Sequence, residues 1–186
     1  ARINVFALPK EDVESVSEAV FNAGLELQLI TVEELATCEL VPVQSDPILT
    51  VVQEAGEEIC LNIIKDGQLY FSRRLKGFEN LGSFTEDELR MGIGESLSVQ
   101  IQRSMDFYES QLRQAPVRQI MMRLDTPHRD ALASQIEQVV SARVNDLTPA
   151  VTAAEPGMSV TRVNYSSLGA AICGSAEPQV KNEAAA

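Results

Sequence analysis

The chain has 186 residues, of which 45% are hydrophobic and 23% charged, and this composition is typical of one globular domain or two small subdomains. It argues against a disordered, collagen-like or disulfide-stapled chain. The formal net charge of -12 opposes binding to nucleic acid and to anionic lipid headgroups, so a role at a membrane would require another protein as the anchor.

The three cysteines and the apolar runs further narrow the class of protein. Cys38, Cys60 and Cys173 match no metal-binding or redox spacing, and we expect reduced thiols, as in the cytosol. No apolar run approaches the roughly 20 residues of a membrane-spanning helix. The sequence starts at Ala1, inside an apolar run and without a methionine, and we expect it to be a fragment of a longer protein.

The first part of the chain predicts an α/β layer. Two apolar runs, residues 3–8 and 25–30, are predicted strands. Between them, apolar residues at helical spacing predict a helix that ends at Gly24. A capping box of Thr31 and Glu34 predicts a second, shorter helix. This alternation indicates helices packed on a sheet.

An antiparallel meander is predicted next. Three β-rich runs cover residues 48–53, 59–64 and 68–73, and Asp66 with Gly67 forms a typical hairpin turn between the last two.

The rest of the chain returns to helices and strands in alternation. A capping box of Thr85 and Glu88 precedes apolar residues that recur every three or four positions, and this pattern predicts a long helix ending before Pro116. The remaining predicted elements are a strand over 117–124, a helix that Pro127 opens, a strand over 144–147 and a helix over 168–173.

Four stretches in this order resemble the PilM-like pilus assembly family. They read LPKEDVESVSEAVFNAGLELQLITVEELA, KDGQLYFSRRL, QIQRSMDFYESQ and SLGAAICG. The resemblance covers nearly the whole chain and is nearest to MshI-type members, which serve the mannose-sensitive haemagglutinin (MSHA) pilus. It implies an α/β, actin-like ATPase fold of ribonuclease-H-like subdomains, with mixed sheets and flanking helices, of which this chain would hold a part.

The resemblance also implies a domain division. Residues 1–47 would be the end of the first subdomain and its insertion, residues 48–174 the second ribonuclease-H-like domain, and residues 175–186 a disordered tail.

The nucleotide-binding motifs of such a fold are degenerate here. The second phosphate hairpin of the family reads Asp-X-Gly-X-X-X-Thr, and its three defined positions fall on Gln53, Ala55 and Ile59. The metal-holding Asp and the phosphate-contacting Gly are therefore both replaced. Gly56 comes one position late. Three acidic residues that repel a triphosphate surround it: Glu54, Glu57 and Glu58.

The adenosine loop departs from the family as well. Residues 120–127 contain no glycine where the family reads Ser-Gly-Gly-Gly, and we expect side chains to occupy the base and ribose space. We therefore interpret the chain as a relative without catalytic residues, cofactor or metal. The opposing interpretation, a divalent cation on Glu54, Glu57 and Glu58, is disfavoured because adjacent strand residues point to opposite faces.

The other chemistry-bearing residues have plainer interpretations. His128 opens a helix and lacks an oriented nucleophile, which favours a surface or capping role over a catalytic base. One helix carries four charged residues at spacings that predict local ion pairs: Arg103, Asp106, Glu109 and Arg113.

Two further features keep more than one interpretation. The basic cluster of Arg73, Arg74 and Lys76 could contact an acidic partner segment or phospholipid, or it could blunt a strand edge. Gly92 and Gly94 could allow close packing against the hairpin, or contact a ligand in a phosphate-binding relative.

These observations lead to a hypothesis of a non-catalytic, cytoplasmic scaffold in type IV pilus biogenesis of the MSHA type. It would lie peripherally at the inner membrane by gripping the cytoplasmic N-terminus of a PilN-like partner in the pilus assembly complex, without inserting into the bilayer or binding nucleic acid. The contact residues stay unassigned. Two alternatives remain open: a weak actin-like ATPase, and the cytoplasmic domain of a GspL-like type II secretion protein.

Overall fold

A five-stranded mixed sheet with helices on both faces forms the centre of the molecule. The computed structural model describes residues 4–149, 151 and 163–175. The elements are α1 (Lys10–Asn22), α2 (Glu33–Cys38), β1 (Ile48–Val52), β2 (Ile59–Lys65), β3 (Gln68–Leu75), a 3-10 turn (Leu81–Ser83), α3 (Glu86–Glu88), an irregular turn (Leu89–Ile93), α4 (Gly94–Gln111), β4 (Gln119–Arg123), α5 (Arg129–Val139), β5 (Arg143–Asp146) and α6 (Tyr165–Ser175).

The strands lie in the order β3-β2-β1-β4-β5. The first three form the predicted antiparallel meander, and β4 and β5 continue the sheet parallel to β1. Asp66 and Gly67 both have positive φ, 52° and 70°, as a type I′ hairpin turn requires. The mixed α/β class, the meander and the two later strands are thus confirmed.

Alternate residues of the central strands pack into two separate cores. Leu49 and Val51 face a core formed with α4 and α5, whereas Ile48 and Val52 face a core formed with residues near α2 and on α6. Every residue of β1 is buried because helices cover both faces of the sheet. The segment that ends α2 therefore shares a core with the strands that follow it.

The N-terminal strand predictions are wrong for the residues that the structure describes. Residues 4–9 and 25–32 have no regular secondary structure. An apolar run forms a strand only where a neighbouring strand satisfies its backbone groups, and none of the five strands pairs with these runs. The capping box at Thr31 is also absent, since α2 is capped by Val32 without a side-chain hydrogen bond.

The predicted long helix is broken near its start. The capping box of Thr85 and Glu88 forms as expected, but Gly92 has a φ of +148° and α4 begins only at Gly94. A Cβ at Gly94 would overlap Oε1 of Gln135 in α5, so this glycine permits close packing against α5 and not against the hairpin. Of the predicted disordered tail, residues 175–186, Ser175 is the last residue of α6, and the others lie outside the described residues.

Candidate functional site

A cleft of about 530 Å³ lies where β1 and β4 end. These parallel neighbours send the chain to opposite sides of the sheet, β1 towards β2 and β4 towards β5. The crevice beyond the carboxyl ends of two such strands is the usual ligand position in α/β proteins. The cleft is lined by Gly56, Glu79, Asn80, Gly82, Ser83, Leu124, Asp125, Thr126 and Pro127. Both sequence-predicted nucleotide loops thus meet at one place.

Gln53 directly follows β1 and is completely buried. Its backbone N–H donates to the carbonyl of Arg123 at 2.8 Å. Its side-chain Nε2 donates to the carbonyls of Glu57 and Phe78 at 2.9 and 2.7 Å. The Oε1 atom is buried without a partner among the described residues. The side chain therefore braces the loop from inside and supplies no charge to the cleft.

The turn after Gln53 is fixed to β4 and α6 by contacts of Glu54 with Arg123 and Tyr165. Glu54 accepts a hydrogen bond from the N–H of Tyr165 at 2.8 Å and forms an ion pair with Arg123 at 3.3 Å. The Arg123 guanidinium also lies over the Tyr165 ring, 4.3 Å from its centroid. Ala55 and Gly56 are exposed at the tip of the turn, where Gly56 has a φ of +76°.

The remaining acidic residues of this loop do not converge. Glu57 is exposed, and Oε1 of Glu58 lies 3.7 Å from Nζ of Lys76. Both precede β2, whose first residue is the buried Ile59, so the expectation that they occupy a strand is wrong. Within the ranges that the structure describes, no group of three or more His, Cys, Asp or Glu side chains could hold a metal ion.

The loop after β4 lines the cleft rather than filling it. Thr126 donates its N–H to the carbonyl of Leu124 at 2.9 Å and accepts at Oγ1 from the N–H of His128 at 3.2 Å. Across the cleft, a Cβ on Gly82 would lie 3.0 Å from the carbonyl oxygen of Asp125. The glycine thus brings the Leu81–Ser83 turn close to the loop, and an open space remains between them.

The charge of the cleft is negative. Its two ionisable lining residues are Glu79 and Asp125, and none of the lining residues is basic. The Glu79 carboxylate accepts the N–H of Gly77 at 2.9 Å, and this hydrogen bond lowers the pKa of Glu79 and favours its ionised form. A triphosphate in this cleft would meet carboxylates without a compensating cation from the protein.

The candidate residues His128 and Asp106 take part in local helix structure. His128 is the N-cap residue of α5, although its side chain makes no capping hydrogen bond. Asp106 accepts from Gln102 at 2.7 Å. The predicted ion pairs with Arg103 and Arg113 are wrong, because none occurs among the described residues.

The three basic residues at the end of β3 each have a polar or acidic partner within the protein. Arg73 donates to Oε1 of Gln100 at 2.8 Å, and Lys76 pairs with Glu58. Arg74 donates to the carboxylates of Glu33 and Glu34 at 2.7 and 2.9 Å, which ties β3 to α2.

Sequence reasoning missed Arg123 and Tyr165 as partners of the degenerate loop. The contact between Glu54 and Tyr165 spans 111 positions, and no local spacing predicts it. A lone arginine closing the apolar strand β4 was the available clue, since a half-buried charge requires a partner.

Comparison with known proteins adds no assignment: no protein-family model matches the chain, and no curated protein matches it in sequence. Among the described residues, none of the helices has both the length and the apolar character needed to cross a membrane.

Proposed function

We propose that this protein is a non-catalytic, PilM-like scaffold of type IV pilus biogenesis of the MSHA type. In this proposal it acts in the cytoplasm, peripherally at the inner membrane, where it binds the cytoplasmic N-terminus of a PilN-like membrane protein within the pilus assembly complex. One observation supports the non-catalytic interpretation. At the position where an actin-like ATPase holds its metal, the side chain of Gln53 donates hydrogen bonds to two backbone carbonyls.

The architecture supports the fold part of the proposal. A three-stranded antiparallel meander, continued by parallel strands that alternate with helices, is the plan of a ribonuclease-H-like subdomain, and two such subdomains build an actin-like protein. The candidate cleft lies between the loops that hold nucleotide in that plan, yet its ionisable residues are acidic. A nucleotide-free descendant of an actin-like fold accounts for both features.

An apolar surface supports the partner-binding part. No residue of α1 is buried. Large apolar side chains are exposed on and around this helix: Val5, Phe6, Leu8, Val16, Phe21, Leu25, Leu27, Leu29 and Ile30. A hollow of about 700 Å³ lies between α1 and the segment after it. Exposed apolar patches of this kind mark protein-binding sites, and an apolar peptide could bury them.

Co-purification tests the scaffold role directly. The bait is a synthetic peptide of the cytoplasmic N-terminus of the PilN-like membrane protein, and we expect it to retain the wild-type chain. Phe21→Ser should weaken retention about tenfold, because a buried phenylalanine contributes roughly 1.5–3 kcal/mol. Phe21 is 80% exposed in the free protein, so its replacement should leave the free energy of unfolding within about 0.5 kcal/mol of wild type.

The matched control is Met91→Ser, which removes an equally exposed apolar side chain at 82% exposure outside this surface. It should leave retention unchanged. Failure of the wild-type chain to bind the peptide, or equal loss in both variants, would contradict the proposed surface. Retention of Mg-ATP instead of peptide would favour the actin-like ATPase.

A further inference from the structure

The hollow at the end of α1 combines exposed apolar side chains with negative charge. It lies at the carboxyl end of the helix, and its lining residues are Ser17, Phe21, Gly24, Leu25, Glu26 and Leu27. Phe21, Leu25 and Leu27 are 80%, 66% and 40% exposed. The volume of about 700 Å³ is within the usual range for binding sites, so the hollow can accept a large apolar side chain from a partner.

Two carboxylates and a helix end supply the negative charge. Glu26 is part of the lining, and Glu18 precedes Phe21 by three positions on α1, a spacing that puts both side chains on one face of the helix. Both glutamates are exposed, and neither has an ionic partner in the described part of the chain. The carbonyl end of a helix also carries partial negative charge, and the last turn of α1 contains no basic residue to offset it.

No positive charge of this segment balances these groups. Lys10 is the only basic residue between positions 4 and 30, and its Nζ lies 3.1 Å from Oε1 of Glu14, towards the other end of α1. Acidic residues in the first turn of α1 complement the positive amino end of the helix. Glu18 and Glu26 lie near the opposite end, where negative charge is unfavourable for the helix, so helix stability does not account for them.

The sign of this charge decides between the possible occupants. It repels nucleic acid and anionic lipid headgroups. A second copy of the chain would bring the same carboxylates against each other without a cation between them. A segment that is both apolar and basic suits the hollow and the carboxylates together.

We infer that the surface around α1 binds a partner segment in which an apolar anchor residue is flanked by lysine or arginine. The anchor fills the hollow beside Phe21, Leu25 and Leu27, and the cation pairs with Glu18 or Glu26 beside the carbonyl end of α1. This inference rests on the proposed function, because it specifies the partner chemistry of the surface proposed there as the binding site.

Fluorescence anisotropy with three labelled peptides tests this partner chemistry. The probes are short amphipathic peptides of leucine combined with lysine, with glutamine or with glutamate. We expect the lysine peptide to bind saturably and about tenfold more tightly than the glutamine peptide, because it gains the two ion pairs and the helix end. Its affinity should fall as the salt concentration rises, and the glutamate peptide should not bind.

Two variants separate the apolar contact from the charged one. Phe21→Ser should weaken binding of the lysine peptide about tenfold, because it removes the apolar wall of the hollow. Glu26→Gln should weaken it about threefold and reduce its dependence on salt. The matched control is Glu95→Gln, which removes an exposed carboxylate from α4 outside this surface and should leave the affinity unchanged.

Four results would overturn the inference. The first is a lysine peptide that does not saturate or that binds no better than the glutamine peptide. The second is equal weakening by Glu26→Gln and Glu95→Gln, which would indicate a general charge effect. The third is binding to phosphatidylcholine vesicles that Phe21→Ser abolishes, which would identify a lipid surface as the occupant. The fourth is a dimer that Phe21→Ser dissociates, which would identify a second copy of the chain.

The proposed pilus role fails by a different result. If the lysine peptide binds at this surface and the N-terminal peptide of the PilN-like protein does not, the partner chemistry stands and the pilus role is contradicted. If the PilN-like peptide is retained but the lysine and glutamine peptides bind equally, the pilus role stands and the partner chemistry is wrong.

Discussion

Gln53 illustrates how one side chain converts a possible binding loop into a structural one. An amide donates hydrogen bonds, whereas an ionised carboxylate only accepts them. The Nε2 atom of Gln53 satisfies two carbonyl groups, those of Glu57 and Phe78, and the second lies on the loop after β3. An aspartate at this position would leave both carbonyls unpaired and would bury a charge.

Replacement of Gln53 by alanine should therefore be costly. Gln53→Ala leaves two carbonyls without this donor, and we expect the free energy of unfolding in urea to fall by about 2–4 kcal/mol. Gln28→Ala, at an exposed position, should change it by less than about 0.5 kcal/mol. Equal stability of the two variants would show that Gln53 is not a brace.

The two buried thiols predict how stability depends on pH. Burial raises the pKa of Cys38 and of Cys60 to about 12, from an ordinary value of 9.0. In the unfolded chain the thiols ionise near pH 9, so their contribution to stability is complete below that pH and is lost progressively between about pH 9 and pH 12. The free energy of unfolding, measured in urea, should fall by about 1 kcal/mol per thiol between pH 9 and pH 10.

The double variant Cys38→Ala, Cys60→Ala provides the comparison. It should be less stable than wild type at pH 8, and the difference should shrink as the pH rises. Parallel pH profiles for the two proteins would contradict buried, neutral thiols.

At the scale of elements, α2 and α6 are held together by a backbone contact that only glycine permits. A Cβ on Gly169 would overlap the carbonyl of Ala36, so the two helices touch at this point. Glycine to alanine usually stabilises a helix by about 1 kcal/mol. Here the added methyl group must push α6 away from α2, and the effect should change sign.

We expect Gly169→Ala to lower the free energy of unfolding by about 1–3 kcal/mol, the usual cost of overpacking. Ser167→Ala, at an exposed position of the same helix, should be nearly neutral. Stabilisation by Gly169→Ala, measured by urea unfolding, would show that the helices are free to separate.

The elements also show which parts of the fold could be predicted. The strands β1 to β3 were predictable because each acquires its partner from the next run along the chain, through turns such as Asp66-Gly67. Residues 25–30 are equally apolar, but a strand there would need a partner that no adjacent run supplies. The break at Gly92 was likewise hidden, because apolar periodicity continues across it.

At the scale of the whole molecule, the sequence predicted that the loops after β1 and β4 lie together. It did not predict which side chains those loops contact. The order of the elements brings the loops after β1 and β4 together at one edge. The interaction of Glu54 with Arg123 and Tyr165 depends on α6 returning to that edge from far along the chain. Whether the loops leave an open cleft depends equally on long-range packing, as the contact of Gly82 with Asp125 demonstrates.

Calorimetric titration of Mg-ATP into the purified chain tests the central claim, that this cleft is not a nucleotide site. We predict no saturable heat at millimolar nucleotide, and no rise in melting temperature under the same conditions, because a ligand that does not bind the folded state cannot stabilise it. A saturable one-site isotherm with matching thermal stabilisation, abolished by a bulky substitution at Gly82, would contradict the claim.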